Sequence, residues 1–93
     1  MTGTTPIRQF KGCCVLIQVQ IARSSQTYDL EESFRMLTAN GKLKDDDVAF
    51  IRRVLEMERE LKAGDELDED EVAAAIPRIQ MLVASNLNCA DSA

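Results

Sequence analysis

Two short strings constrain this chain more than any others: Leu43-Lys44-Asp45-Asp46-Asp47-Val48-Ala49 and Leu67-Asp68-Glu69-Asp70-Glu71-Val72-Ala73. In each, a leucine precedes a run of acids, and a Val-Ala pair opens an apolar stripe. Each reads as a helix N-terminus. An Asp at the cap accepts from an orphaned backbone N–H, and carboxylates in the first turn face the positive end of the helix dipole. Asp68 and Glu71 have the spacing of a capping box, and the leucine before each start is placed to pack back on the first turn. Behind the first start, Val48, Ile51, Val54, Leu55 and Leu61 recur at the helical period, widened by Phe50 and Met57. Ala63-Gly64 supplies a stop, because glycine takes the left-handed conformation that closes a helix. Behind the second start, Val72, Ala75, Ile76, Ile79, Leu82, Val83 and Leu87 share one side. Pro77 removes one backbone hydrogen bond there and predicts a kink or a restart between Ala73 and Pro77. Asp45 to Leu87 is therefore expected to form a helical hairpin that presents a surface to another protein.

Upstream, Thr5-Pro6 is a helix start with Thr at the cap and Pro in the first helical position. Ile7, Phe10, Cys14, Ile17 and Ile21 then alternate in steps of three and four, which is a heptad seam. The rival reading is a strand over residues 13–22, where Cys13, Val15, Ile17, Val19 and Ile21 alternate with their neighbours and β-branched residues abound. A helix is preferred because a lone strand has no partner unless two subunits pair. Gly12 weakens that helix by up to about 1 kcal/mol relative to alanine. Val15, Leu16 and Val19 lie off the seam, so the segment is apolar on more than one side and points to oligomerisation. Phe10, Cys14, Ile17 and Ile21 are the expected self-association residues, and a homodimer the expected assembly. Arg23 to Gln26 reads as a turn. Asp29 or Thr27 caps a further helix with Leu30, Phe34 and Leu37 on one face, closed by Asn40-Gly41.

The expected fold is all-α, a small bundle of about four helices with a C-terminal hairpin. A single domain over residues 5–87 lies between a disordered tail at 1–4 and a fraying tail at 88–93. The two hairpin starts are too few and too brief a repeat for a solenoid. At 93 residues the core is small, so good packing or a partner is needed. A composition of 45% hydrophobic and 29% charged residues is that of an ordinary globular chain, not a disordered one.

The net charge of −5 is unevenly spread: residues 1–44 carry six Lys/Arg against three Asp/Glu, residues 45–93 five against thirteen. An acidic balance repels phosphate backbones and anionic membranes, so neither direct nucleic-acid binding nor membrane binding is expected. No run approaches the length of a membrane span, and the stretch after Arg8 and Lys11, interrupted by Gln18 and Gln20, makes a poor export signal. Cys13, Cys14 and Cys89 form neither a zinc pattern nor a disulfide framework, which points to reduced thiols in the cytoplasm.

Chemistry is hard to assemble from these residues. There is no histidine to serve as a base for any cysteine or serine, and no nucleotide-binding glycine loop. The run Asp65 to Glu71 lacks the ligand spacing and central glycine of a calcium loop, as does Asn40 to Asp47. Arg52, Arg53, Arg59 and Lys62 alternate with Glu56, Glu58 and Glu60, the pattern of a helix laced with pairs four residues apart. A helix-turn-helix over Leu30 to Leu55 fails because Asp45-Asp46-Asp47 would lead into the phosphates. The expectation is thus no enzyme, no metal and no cofactor.

Gln26-Thr27-Tyr28-Asp29, followed by Leu43-Lys44-Asp45 and Ala49-Phe50, resembles the small helical Hha/YmoA gene-regulation modulators over a minor part of the chain. The basic surface expected of that family is missing here, and no residue role carries over. Two functions are expected from these readings. The first is a cytoplasmic protein-binding module, an adaptor, chaperone-like subunit or inhibitor. The second is an acidic regulator that imitates nucleic acid toward a basic protein through Asp65, Glu66, Asp68, Glu69, Asp70 and Glu71.

Overall fold

A computed structural model describes residues 6–87. The tails expected at 1–4 and 88–93, the cap at Thr5 and the thiol of Cys89 lie outside the described residues. Four α-helices follow one another: α1 (Pro6–Ser25), α2 (Leu30–Ala39), α3 (Asp45–Lys62) and α4 (Glu69–Met81), the last continuing into a π-helical turn at Leu82–Asn86. Among the described residues there is no strand, so residues 13–22 are helical. The all-α bundle with a C-terminal hairpin is the observed architecture.

The centre of the packing is α1 rather than the hairpin. It packs most extensively on α4, then on α2, and also meets α3 and the π-helical turn. Phe10, Cys14 and Ile17 are fully buried and Ile21 nearly so, within one core that includes Leu37, Ile51, Met57, Ile79 and Leu87. This corrects the expected self-association seam: the heptad residues Phe10, Cys14, Ile17 and Ile21 face the other helices of the same chain. A heptad pattern says which residues share a face; here the chain itself supplies the cover.

The helix ends follow local hydrogen bonding. Asp29 caps α2, its Oδ1 accepting from the N–H groups of Glu31 and Glu32 at 3.1 and 3.3 Å. Asp68 caps α4, accepting from Asp70 N–H at 2.9 Å. The cap of α3 is Lys44, not an aspartate, and Asp47 reaches back to accept from the Lys44 N–H at 3.1 Å. Leu43 is buried and Leu67 packs on the core. Both α2 and α3 end with a left-handed glycine, Gly41 at φ 77° and Gly64 at φ 93°. Around Gly64, Asp65 N–H donates to Glu60 C=O at 2.9 Å and Gly64 N–H to Leu61 C=O at 3.1 Å, which is a complete Schellman closure.

Two local expectations are revised. The stretch Arg23 to Ser25 is the last turn of α1, not a loop, and the chain turns at Gln26, whose φ of 61° does the work of a terminal glycine. Of the kink or restart expected at Pro77, the restart is absent: α4 runs through Pro77 to Met81 as one helix. Pro77 and Ala73, the residue whose carbonyl loses its donor, are both exposed, so water can take the place of the missing N–H.

Gly12 sits mid-helix on the exposed side of α1, and a Cβ added there meets nothing within 4 Å. Gly12→Ala is therefore expected to stabilise the chain by about 0.5–1 kcal/mol, read as a higher midpoint in urea at unchanged slope. A lower midpoint would show that the glycine serves the fold itself.

Candidate functional site

The charged side chains of α3 tie helices together more than they lace α3 to itself. Arg53 forks onto Glu71 of α4, Nε to Oε2 at 2.9 Å and Nη2 to Oε1 at 3.0 Å, and also donates to Glu56 at 3.1 Å. Glu60 stands 3.7 Å away. Arg52 forks onto Glu31 of α2 at 2.5 and 2.7 Å and lies over the Phe34 ring at 4.9 Å. Arg78 pairs with Asp47 at 3.4 Å and lies over the Phe50 ring at 4.4 Å. Arg35 pairs with Glu32 within α2. Hydrogen bonds from Arg52 and Arg53 hold the Glu31 and Glu71 carboxyls below their ordinary range. Apart from the Asp47 carboxylate these groups are solvated, so each pair adds little to stability. Their bipartite form, a guanidinium that bonds an acid while stacking on a ring, left no signal in a linear charge pattern.

That network revises the acidic run. Glu71 is engaged by Arg53, and Asp68 is spent on the cap of α4. The spacing of Asp68 and Glu71 suggested a capping box, but Glu71 turns away from the cap. Asp65, Glu66, Glu69 and Asp70 are exposed around the turn between α3 and α4. Asp45 and Asp46 lie at the opposite end of α3, next to the Asp47–Arg78 pair. The uncommitted carboxylates thus form a compact cluster at one end of the hairpin, apart from those at the other end.

Cys13 and Cys14 are buried in the apolar side of α1. Burial pushes the Cys14 thiol up to about 12, with the neighbouring Glu58 carboxylate adding to the shift, and burial also raises Cys13. Such thiols carry negligible thiolate at neutral pH, which argues against a redox sensor and for packing. Among the described residues no group of His, Cys, Asp and Glu is arranged to hold a metal ion, and no helix is long and apolar enough to cross a membrane. A buried polar contact that the sequence did not signal joins α1 to α2: Ser25 Oγ and Ser33 Oγ lie 2.7 Å apart, the Ser25 hydroxyl also donating to Ile21 C=O at 2.8 Å.

The surface feature with the clearest potential for binding is the face of α1 turned away from the core. Val15 is 58% exposed, Leu16 40% and Val19 45%, and Tyr28 in the turn after α1 is 99% exposed. Val15, Val19 and Ala22 succeed one another at helical spacing. Toward the C-terminal end, Val19, Ala22, Thr27 and Tyr28 are common to two adjoining shallow hollows of about 290 and 420 Å3. The larger depression beside α3, about 730 Å3, is walled by Glu31, Arg52, Arg53, Glu56 and Arg59; the charges of the first four pair with one another or with Glu71, and Arg59 is exposed on its rim. Sequence periodicity had marked Val15, Leu16 and Val19 as surplus apolar surface; it did not show that Tyr28 continues that surface. No protein-family model, characterised protein or solved structure matches this chain.

Proposed function

We propose that this chain works by binding another protein, as an adaptor, chaperone-like subunit or inhibitor in the reducing cytoplasm. The observation that supports this reading is the strip Val15, Leu16, Val19 and Tyr28, left open by a bundle whose own core is already covered. An exposed aromatic beside aliphatic side chains is the composition of an interface anchor. The thiols of Cys13 and Cys14 are buried, and Arg52 and Arg53 are engaged by Glu31 and Glu71.

The test is a photo-cross-linking residue placed at position 19 and, separately, at position 74 on the exposed side of α4, both in cells of the source organism. Position 19 is expected to give a discrete adduct that Val15→Asp removes without shifting the melting temperature by more than a few degrees. Equal labelling from positions 19 and 74 would sink the reading.

The acidic-regulator function draws on a different observation, the exposed cluster Asp65, Glu66, Glu69 and Asp70. Imitating a nucleic-acid backbone calls for charge spread along a surface. The diversion of Glu71, Glu31 and Asp47 into internal pairs shortens the available row. A partner held by that cluster would dissociate as salt rises and on Glu69→Lys with Asp70→Lys, whereas a partner on the α1 strip would be retained.

A further inference from the structure

The open face of α1 has a charge pattern as well as an apolar one. α1 contains no aspartate or glutamate. Its basic residues Arg8, Lys11 and Arg23 fall on the same side as Val15 and Val19, and Lys11 and Arg23, both exposed, stand about 18 Å apart along the axis at either end of the apolar strip. In a chain of net charge −5 this is a local cationic border. Gly12 lies on the same face with open space above it, so another backbone can approach closely there at a position where the folded chain would gain from alanine. Beyond Val19 the strip continues into the hollows bounded by Tyr28, which offer a seat for one further apolar side chain.

A second copy paired α1 to α1 fits this border poorly. A two-fold antiparallel pairing centred between Val15 and Val19 sets Lys11 of one copy at the level of Arg23 of the other, and a parallel pairing sets each cation beside its twin. A carboxylate-bearing partner meets the same border with the opposite sign. Resting on the protein-binding reading above, we infer that the α1 face takes an amphipathic helix with acidic flanks, its apolar residues seated on Val15, Val19 and Tyr28 and its carboxylates facing Lys11 and Arg23. Recognition of this kind places apolar anchors at positions i, i+3 or i+4, and i+7 of the partner helix.

The test uses a displayed library of helical peptides about 18 residues long, with randomised apolar and flanking positions, selected against the intact reduced protein. The enriched peptides are expected to combine the apolar spacing with an excess of Asp and Glu. Their affinity should fall about tenfold or more on Val19→Asp and several-fold on Lys11→Glu with Arg23→Gln, each variant retaining its helicity and melting temperature. The effect of the charge variant should shrink as salt is raised. Selection of peptides with neutral or basic flanks on this same face would overturn the acidic partner while leaving the protein-binding reading intact. Failure to enrich any peptide whose binding depends on Val19 would also overturn it, as would a dimer in light scattering that Val19→Asp dissociates, or Val19-dependent sedimentation with phosphatidylserine vesicles. Loss of the position-19 cross-link in cells as well would remove both readings together.

Discussion

Ile17→Asp is expected to abolish the cooperative thermal transition followed by circular dichroism, leaving a chain with little helix at any temperature. Ile17 is fully buried at the middle of α1, where that helix meets its neighbours. The substitution forfeits about 2–3 kcal/mol of apolar burial. It also introduces a carboxyl that must either ionise without a partner or remain protonated at neutral pH, at a further cost of several kcal/mol. Domains of this size have about 5–10 kcal/mol in total, so the sum reaches the whole of the stability. Val19→Asp, two residues along the same helix but 45% exposed, should melt within a few degrees of the parent. The contrast is the measurement. Equal tolerance at both positions would mean that Ile17 does not lie in the core, and equal intolerance would mean that the strip on α1 is covered.

Raising the pH should weaken the fold through Cys14. Its thiol is pushed up to about 12 in the folded chain, chiefly by burial, from an ordinary value of 9.0. Below pH 9 the thiol is protonated in both states, and the contribution is fully present. Above it the unfolded chain releases the proton while the folded chain holds it, so stability falls by up to about 1.4 kcal/mol per pH unit until the folded thiol itself ionises near pH 12. Cys14→Ala leaves a small cavity and is less stable at pH 7, but lacks this slope. The gap between the parent and the variant in urea denaturation should therefore narrow from pH 9 upward. A gap that stays constant to pH 11 would place Cys14 in contact with solvent. The same protection predicts that thiol reagents modify Cys14 only when the fold opens.

The local grammar of the chain was legible because the interactions that end a helix span only a few residues. Asp29, Asp68, Gly41 and Gly64 each act within one turn of their own backbone, and each stands where its chemistry placed it. The helical state of α1 was legible too, since a strand there had no partner. Three features were not. The direction faced by Phe10, Cys14, Ile17 and Ile21 depends on α4, more than forty residues away, and periodicity gives a face without naming its neighbour. The acid at Glu71 has two available uses, a cap beside it and Arg53 across the hairpin, and only the folded geometry decides between them. The Ser25–Ser33 contact depends on how closely α1 and α2 approach, which two serines in polar-looking stretches do not announce. For the candidate surface, the excess of apolar residues on α1 was visible in the sequence. Tyr28 joined it only once the turn after α1 was built.

The close packing of α1 on α4 has a consequence for biogenesis. Synthesis delivers α1 well before α4, and Leu87, the last core residue among those described, comes later still. Until then Phe10, Cys14, Ile17 and Ile21 lack the cover that α4 supplies, while Val15, Leu16 and Val19 stand open on the other side of α1. A nascent chain at that stage presents apolar surface on two sides of α1, the state in which chaperones capture a polypeptide and in which two unfinished chains most readily adhere. Folding of this bundle is thus timed by its fourth helix rather than its first.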